Sequence, residues 1–147
     1  MCDQKALSMG NLKKILIIIV FSIFIGLIIW SCEKEDIDID LKSNNWVVVK
    51  IKKQGESSYS FAKDSYILKF INDSILDFNL DVNSCSVKYN IISNGNIEWK
   101  EGYCTEMCCD SDFAMDLVQL IPKMTKYYGK GKELIFEGQG EIILKQK

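Results

Sequence analysis

From Asn45 to the C terminus the chain is written mainly in a period of two, and this limits what it can fold into. Side chains of a strand alternate between two faces, so short alternating runs separated by polar or glycine-containing breaks read as successive strands. Residues 46–52 are rich in valine and isoleucine, with lysine at the alternate positions Lys50 and Lys52. Residues 66–71 form a second run, closed by Asn72-Asp73. In residues 75–80, Leu76, Phe78 and Leu80 share one face, opposite Ile75, Asp77 and Asn79. Residues 86–92 and 96–100 flank Asn94-Gly95, two residues that tolerate positive φ and favour a tight hairpin. Residues 133–137 and 141–144 flank Gly138-Gln139-Gly140, a second hairpin.

One segment changes period. Asp110 or Ser111 can cap a helix, Asp112 suits its first turn, and Phe113, Leu117 and Leu120 or Ile121 recur at helical spacing. Pro122 disfavours helical geometry at Ile121 and ends the run there. The neighbouring Asp110, Asp112 and Asp116 read as solvated helix charges, and Tyr127-Tyr128 as core and rim. The expectation is an α+β domain, a curled, mostly antiparallel sheet forming a partial barrel with one helix packed on it. Curling also hides strand edges. A core of Trp46, Phe70, Phe78, Phe113 and Leu117 follows.

The N-terminal part has another grammar. Lys13 and Lys14 precede an apolar run of 16 residues, 15–30. That is short of the about 20 residues a spanning helix needs and fits the apolar region of a secretory signal. The run ends Leu27-Ile28-Ile29-Trp30-Ser31-Cys32, a small residue directly before a cysteine with an aliphatic residue further back, as a bacterial lipoprotein signal ends. Trp30 stands where a smaller residue is usual. Cys32 is then the lipidation site, acylated at its thiol, and residues 1–31 are the signal. A start at Met9 gives a signal of ordinary length and leaves Cys2 without a role. Residues 32–44 read as an acidic tether and 45–147 as the folded domain. The stretch Lys34-Glu35-Asp36 resembles an acidic export signal, which points to the outer membrane and its cell-surface face, with the periplasmic face as the alternative. The membrane, reached through the lipid anchor, is the first partner; an envelope protein is the second.

Composition narrows the chemistry. The chain has no histidine, and its 18 basic residues are all lysine. Imidazole acid–base catalysis, Ser-His-Asp and Cys-His nucleophiles and histidine-bound zinc are therefore absent from it, as is the bidentate arginine clamp. The net charge of −2 gives no basic face for nucleic acid. The expectation is a protein that is not an enzyme, with no catalytic residues, no metal and no cofactor.

Several spaced motifs resemble the META domain, also called HslJ-like. Trp46 opens the domain as that family's tryptophan does. Residues 66–70 are similar to its first core strand. Asn83-Ser84-Cys85-Ser86-Val87-Lys88-Tyr89 is similar to the Asn-x-Cys-x-Gly-x-Tyr of the lipoprotein branch, with Val87 at the glycine position. Thr105-Glu106-Met107-Cys108-Cys109 is similar to Thr-x-Met-x-Cys. Phe113 and Leu117 match the helix, and residues 134–144 the closing hairpin. The resemblance implies a small envelope-associated domain, linked to stress tolerance in some members, without established catalytic residues. A second resemblance, to lipocalin-like lipoproteins, implies a carrier of a small apolar ligand inside a barrel.

Cys85, Cys104, Cys108 and Cys109 remain for the folded domain. Export implies an oxidising compartment and therefore disulfides, with three possible pairings. Linking the neighbours Cys108 and Cys109 would strain a tight ring, which disfavours that pairing. The META-like motifs place Cys85 near Cys109, which would leave Cys104 to pair with Cys108 across a turn. The competing expectation is a thiol-based copper or redox protein, because Cys104, Cys108, Cys109 and the Met107 thioether suit a soft cation.

Overall fold

The computed structural model describes residues 39–147 other than Asn94. Cys32, the apolar run and most of the acidic tether lie outside the described residues. Nine strands are described: β1 (Asn45–Lys53), β2 (Ser60–Phe61), β3 (Ile67–Asn72), β4 (Ile75–Asn79), β5 (Ser84–Ser93), β6 (Asn96–Cys104), β7 (Met124–Lys130), β8 (Glu133–Gly138) and β9 (Gly140–Gln146). The helix α1 (Asp112–Leu120) lies between β6 and β7.

All described pairings are antiparallel, and β1 pairs with both β3 and β9. Eight strands therefore close into an up-and-down barrel, with the two-residue β2 as a side pairing on β1. The expected curled sheet with one helix is present, and it closes further than a partial barrel. The seam is uneven. β1 and β9 are matched over seven residue pairs, whereas β6 and β7 share one, Asn96 with Lys126.

Strand polarity puts the ends of β1, β4, β6 and β8 and the starts of β3, β5, β7 and β9 at one mouth of the barrel. The helix covers that mouth. Ser111 caps it, accepting a hydrogen bond from Ala114 N, and Ala114, Leu117 and Leu120 turn inward and are buried. Phe113 is only partly buried, stacked on Tyr66 at 5.1 Å between ring centroids. Of the five residues expected in the core it is the one on the rim. Lys53 at the end of β1 donates to Asp116 on the helix at 2.8 Å. The helix ends before Pro122, which lies within a single 3₁₀ turn, Ile121–Lys123.

The opposite mouth is covered by a 3₁₀ turn, Leu41–Ser43. Leu41 is buried, and its carbonyl accepts from Trp46 Nε1 at 2.9 Å. The folded part thus begins before Asn45, because the last residues of the expected tether include an apolar side chain that the barrel needs as a stopper.

Two strands were not foreseen. β2 is too short to show a period. In β7 a register shift between Met124 and Lys126 breaks the alternation, so Met124, Tyr127 and Gly129 are the buried positions.

Candidate functional site

The interior of the barrel is occupied by aromatic rings. Phe70 meets Tyr89 edge-on at 5.3 Å between centroids, Tyr89 lies 6.1 Å from Trp99, and Trp99 lies 5.9 Å from Phe136. Phe136 also faces Phe70 at 6.4 Å and Tyr127 at 6.2 Å. These are contact distances for rings. Tyr89 donates from its hydroxyl to the Asn72 carbonyl at 2.6 Å, and burial pushes its pKa up to about 12.

Clefts open in the barrel wall beside the helix. Where β6 parts from β7, one of about 210 Å³ runs between β6 and the end of the helix, floored by Phe78, Val87, Val118 and Ile121. Tyr103 stands at its edge, 74% exposed. Lower on the seam, Trp99 Nε1 donates to the Met124 carbonyl at 2.8 Å and closes part of the gap.

The sequence-predicted thiols gather at the helix mouth, though not in the expected pairs. Cys85 is joined to Cys104, with S–S 1.97 Å and Cα–Cα 4.0 Å. This corrects both the Cys85–Cys109 and the Cys104–Cys108 linkages. The reason is the length of β6. The sequence reading ends that strand at Lys100, but it runs to Cys104, and two opposite register shifts on the β5–β6 hairpin cancel. Stepping eight residues from Ser93 and eight from Asn96 therefore brings Cys85 opposite Cys104, a count that the Asn94-Gly95 turn already allows. With Cys104 bonded, the set of Cys104, Cys108, Cys109 and Met107 is broken as a soft-cation site. Among the described residues no group of three or more cysteines and carboxylates is arranged to hold a metal ion.

Cys108 and Cys109 are exposed free thiols, with Cys109 Sγ donating to Cys108 Sγ at 2.7 Å. They lie in the β6–α1 loop, and Asn83, a buried polar residue just before β5, clamps that loop. Its Nδ2 donates to the Met107 carbonyl at 2.6 Å and to Asp110 Oδ2 at 2.5 Å. Its Oδ1 accepts from Thr105 Oγ1 at 2.7 Å and from Met107 N at 2.8 Å. All four hydrogen-bonding places of the amide are filled. Asp110 Oδ1 accepts in turn from Val82 N at 2.9 Å and Asn83 N at 3.3 Å. Burial pushes the Asp110 carboxyl up, but the hydrogen bonds from the Asn83 side chain and the two backbone N–H groups outweigh it and hold it below its ordinary value.

Asp81 makes a second tie. It accepts from Ser111 N and from the Tyr66 hydroxyl, each at 2.7 Å. Hydrogen bonds from Ser111 and Tyr66 hold its carboxyl below the usual range. Sequence reasoning singled out Asn83 and Thr105 only as parts of motifs. Their meeting follows from the β5–β6 register, which sets Ser84 beside Thr105 one step beyond the Cys85–Cys104 pair.

No family model matches the chain, and no curated protein matches it in sequence. Its fold is similar to the solved NMR structure of a protein from Burkholderia xenovorans, with a TM-score of 0.59 at 9% identity, over 79% of this chain and 96% of that one. At that identity the likeness shows the barrel architecture alone. No helix among the described residues is long and apolar enough to cross a membrane.

Proposed function

We propose that this chain is a lipid-anchored envelope protein whose barrel binds a protein partner through its outer surface. The observation that carries the binding mode is the continuous chain of ring contacts from Tyr127 through Phe136, Trp99 and Tyr89 to Phe70. A barrel filled this way is a scaffold, and recognition falls to its exterior. Val82, Met107 and Met115, all exposed, lie on the segments around the Asn83 clamp, and Tyr103 edges the neighbouring cleft. Apolar side chains of this kind suit a protein interface.

The META-like reading belongs to the same proposal. It is supported by the convergence of its two motifs, since Asn83 of the first binds Thr105 and Met107 of the second. Anchoring rests on Ser31-Cys32 alone. Detergent-phase partitioning of the wild type and Cys32→Ser, expressed in a Gram-negative host, tests it. The wild type is expected in the detergent phase at its processed size, with the variant lost from it; a variant that stays membrane-bound at the same size overturns the anchor. The barrel architecture is shared with carriers of apolar ligands, and titration with a fluorescent fatty acid separates the two readings. Unchanged emission is expected, whereas saturable binding favours the carrier.

A further inference from the structure

The Cys108–Cys109 pair has a geometry that adjacent residues do not adopt by default. Successive side chains of an extended segment point to opposite faces, which keeps neighbouring sulfurs apart. Here they stand 2.7 Å apart, well inside the about 3.5–4 Å at which non-bonded heavy atoms rest. The backbone achieves this with a φ of +87° at Cys109, the one positive-φ non-glycine residue among those described. A non-glycine residue held there is strained and persists only where its surroundings impose it. The surroundings are the Asn83 clamp, which grips Met107 just before the pair and Asp110 just after it. Both thiols face solvent. The loop is thus fixed on either side of a strained pair whose two sulfurs are in contact.

We propose that Cys108 and Cys109 form a reversible dithiol–disulfide couple, a thiol–disulfide exchange site whose co-reactant is a small-molecule or protein disulfide. Either exposed sulfur has the other in contact to resolve the exchange, and in one order Cys108 is the attacking sulfur. As a thiolate it attacks one sulfur of the incoming disulfide, forming a mixed disulfide and expelling the other sulfur as a thiolate, which takes up a proton. Cys109 then loses its proton and attacks Cys108 Sγ, closing the bond between neighbours and expelling the second thiol. The pair gives up two electrons and two protons, and one disulfide becomes two thiols. The Cys85–Cys104 bond in the barrel wall takes no part.

The test uses the full chain in detergent, equilibrated in glutathione buffers of rising oxidised fraction, alkylated and mapped by mass spectrometry. In the wild type, the peptide carrying Cys108 and Cys109 is expected to lose both alkylations together and two hydrogens, without a glutathione adduct, while the Cys85–Cys104 link persists. In Cys109→Ser, Cys108 is expected to stop at the glutathione adduct. Three results overturn the proposal: both thiols remaining alkylatable at the highest oxidised fraction, glutathione adducts accumulating on the wild type as on the variant, or Cys109 appearing linked to Cys85. Both cysteines are exposed, and circular dichroism unchanged in Cys109→Ser shows that the fold is not what the variant alters.

Discussion

Asn83 is the residue on which the helix mouth depends. A buried amide with all four places filled contributes through what its loss leaves behind, because each orphaned partner then bears its own desolvation cost. Asn83→Ala is expected to lower stability by at least about 2 kcal/mol, on the scale of one or two unsatisfied buried groups, read as a shift in the urea midpoint. Asn83→Asp keeps the shape but removes both donors and sets a second carboxylate against Asp110, so it should destabilise as well. A midpoint unmoved in both variants would show the clamp to be incidental.

The two carboxylates of the mouth predict its response to acid. Asp81 and Asp110 both have folded pKa values held down by hydrogen bonds. Depressed carboxylates contribute stability that is present above their unfolded pKa, about 3.9, and is lost as pH falls through the folded values. Loosening of the β6–α1 loop is therefore expected below about pH 4, seen as faster amide exchange at Val82, Asn83 and Ser111, whose N–H groups these carboxylates accept. Protection retained well below that pH would contradict it. Tyr89 acts at the other end of the scale. Its raised pKa gives stability that is present below about pH 10, the ordinary tyrosine value, and disappears as pH rises toward the folded value.

Among the elements, the helix was the most legible in the sequence, and its energetics lie one turn further in than the pattern suggested. The cap, the spacing and Pro122 place it to within a residue, because these signals are local. The burial of Phe113 is not local, since it depends on which arc of the helix the barrel mouth accepts. Leu117, fully buried among the mouth residues, carries more. Leu117→Ala should cost about 2–5 kcal/mol, and Phe113→Ala less than the about 3–5 kcal/mol of a buried phenylalanine. Urea denaturation of both variants checks the order, and a larger loss at Phe113 would reverse it. The strands were legible where alternation is uninterrupted and obscure where a bulge resets it. β7 and the far half of β6 fall in the second class, and the cysteine pairing was misread with them. The clamp was hidden partly with the same strand end: once β6 runs to Cys104, Asn83 and Thr105 fall side by side, and only the hydrogen bonds to Met107 and Asp110 in the loop beyond leave no periodic trace.

At the scale of the whole molecule, closure of the barrel is what distinguishes this fold from an open sheet, and it is unequal around the ring. β1 and β9 close it over seven matched pairs. β1 is the first strand of the barrel and β9 the last, so that seam joins the two ends of the strand order. Between β6 and β7 the helix is inserted and one strand pair remains, supported by the hydrogen bond from Tyr127 N to the Gly95 carbonyl and by the Trp99 indole. Local opening starts where few backbone hydrogen bonds and buried contacts resist it. The barrel is therefore expected to breathe at the β6–β7 seam, with amides of β6 that face away from β5 exchanging orders of magnitude faster than those shared by β1 and β9. Native-state hydrogen exchange resolved by residue measures this directly. The Cys85–Cys104 bond ties the far end of β6 to β5, so its reduction should speed exchange in β6 more than anywhere in β8 or β9. Uniform protection around the ring, or a first opening between β1 and β9, would mean that the helix and its 3₁₀ turn hold the seam as firmly as a strand ladder does. The cleft between β6 and the helix would then be a rigid groove rather than a gap that widens to admit a partner.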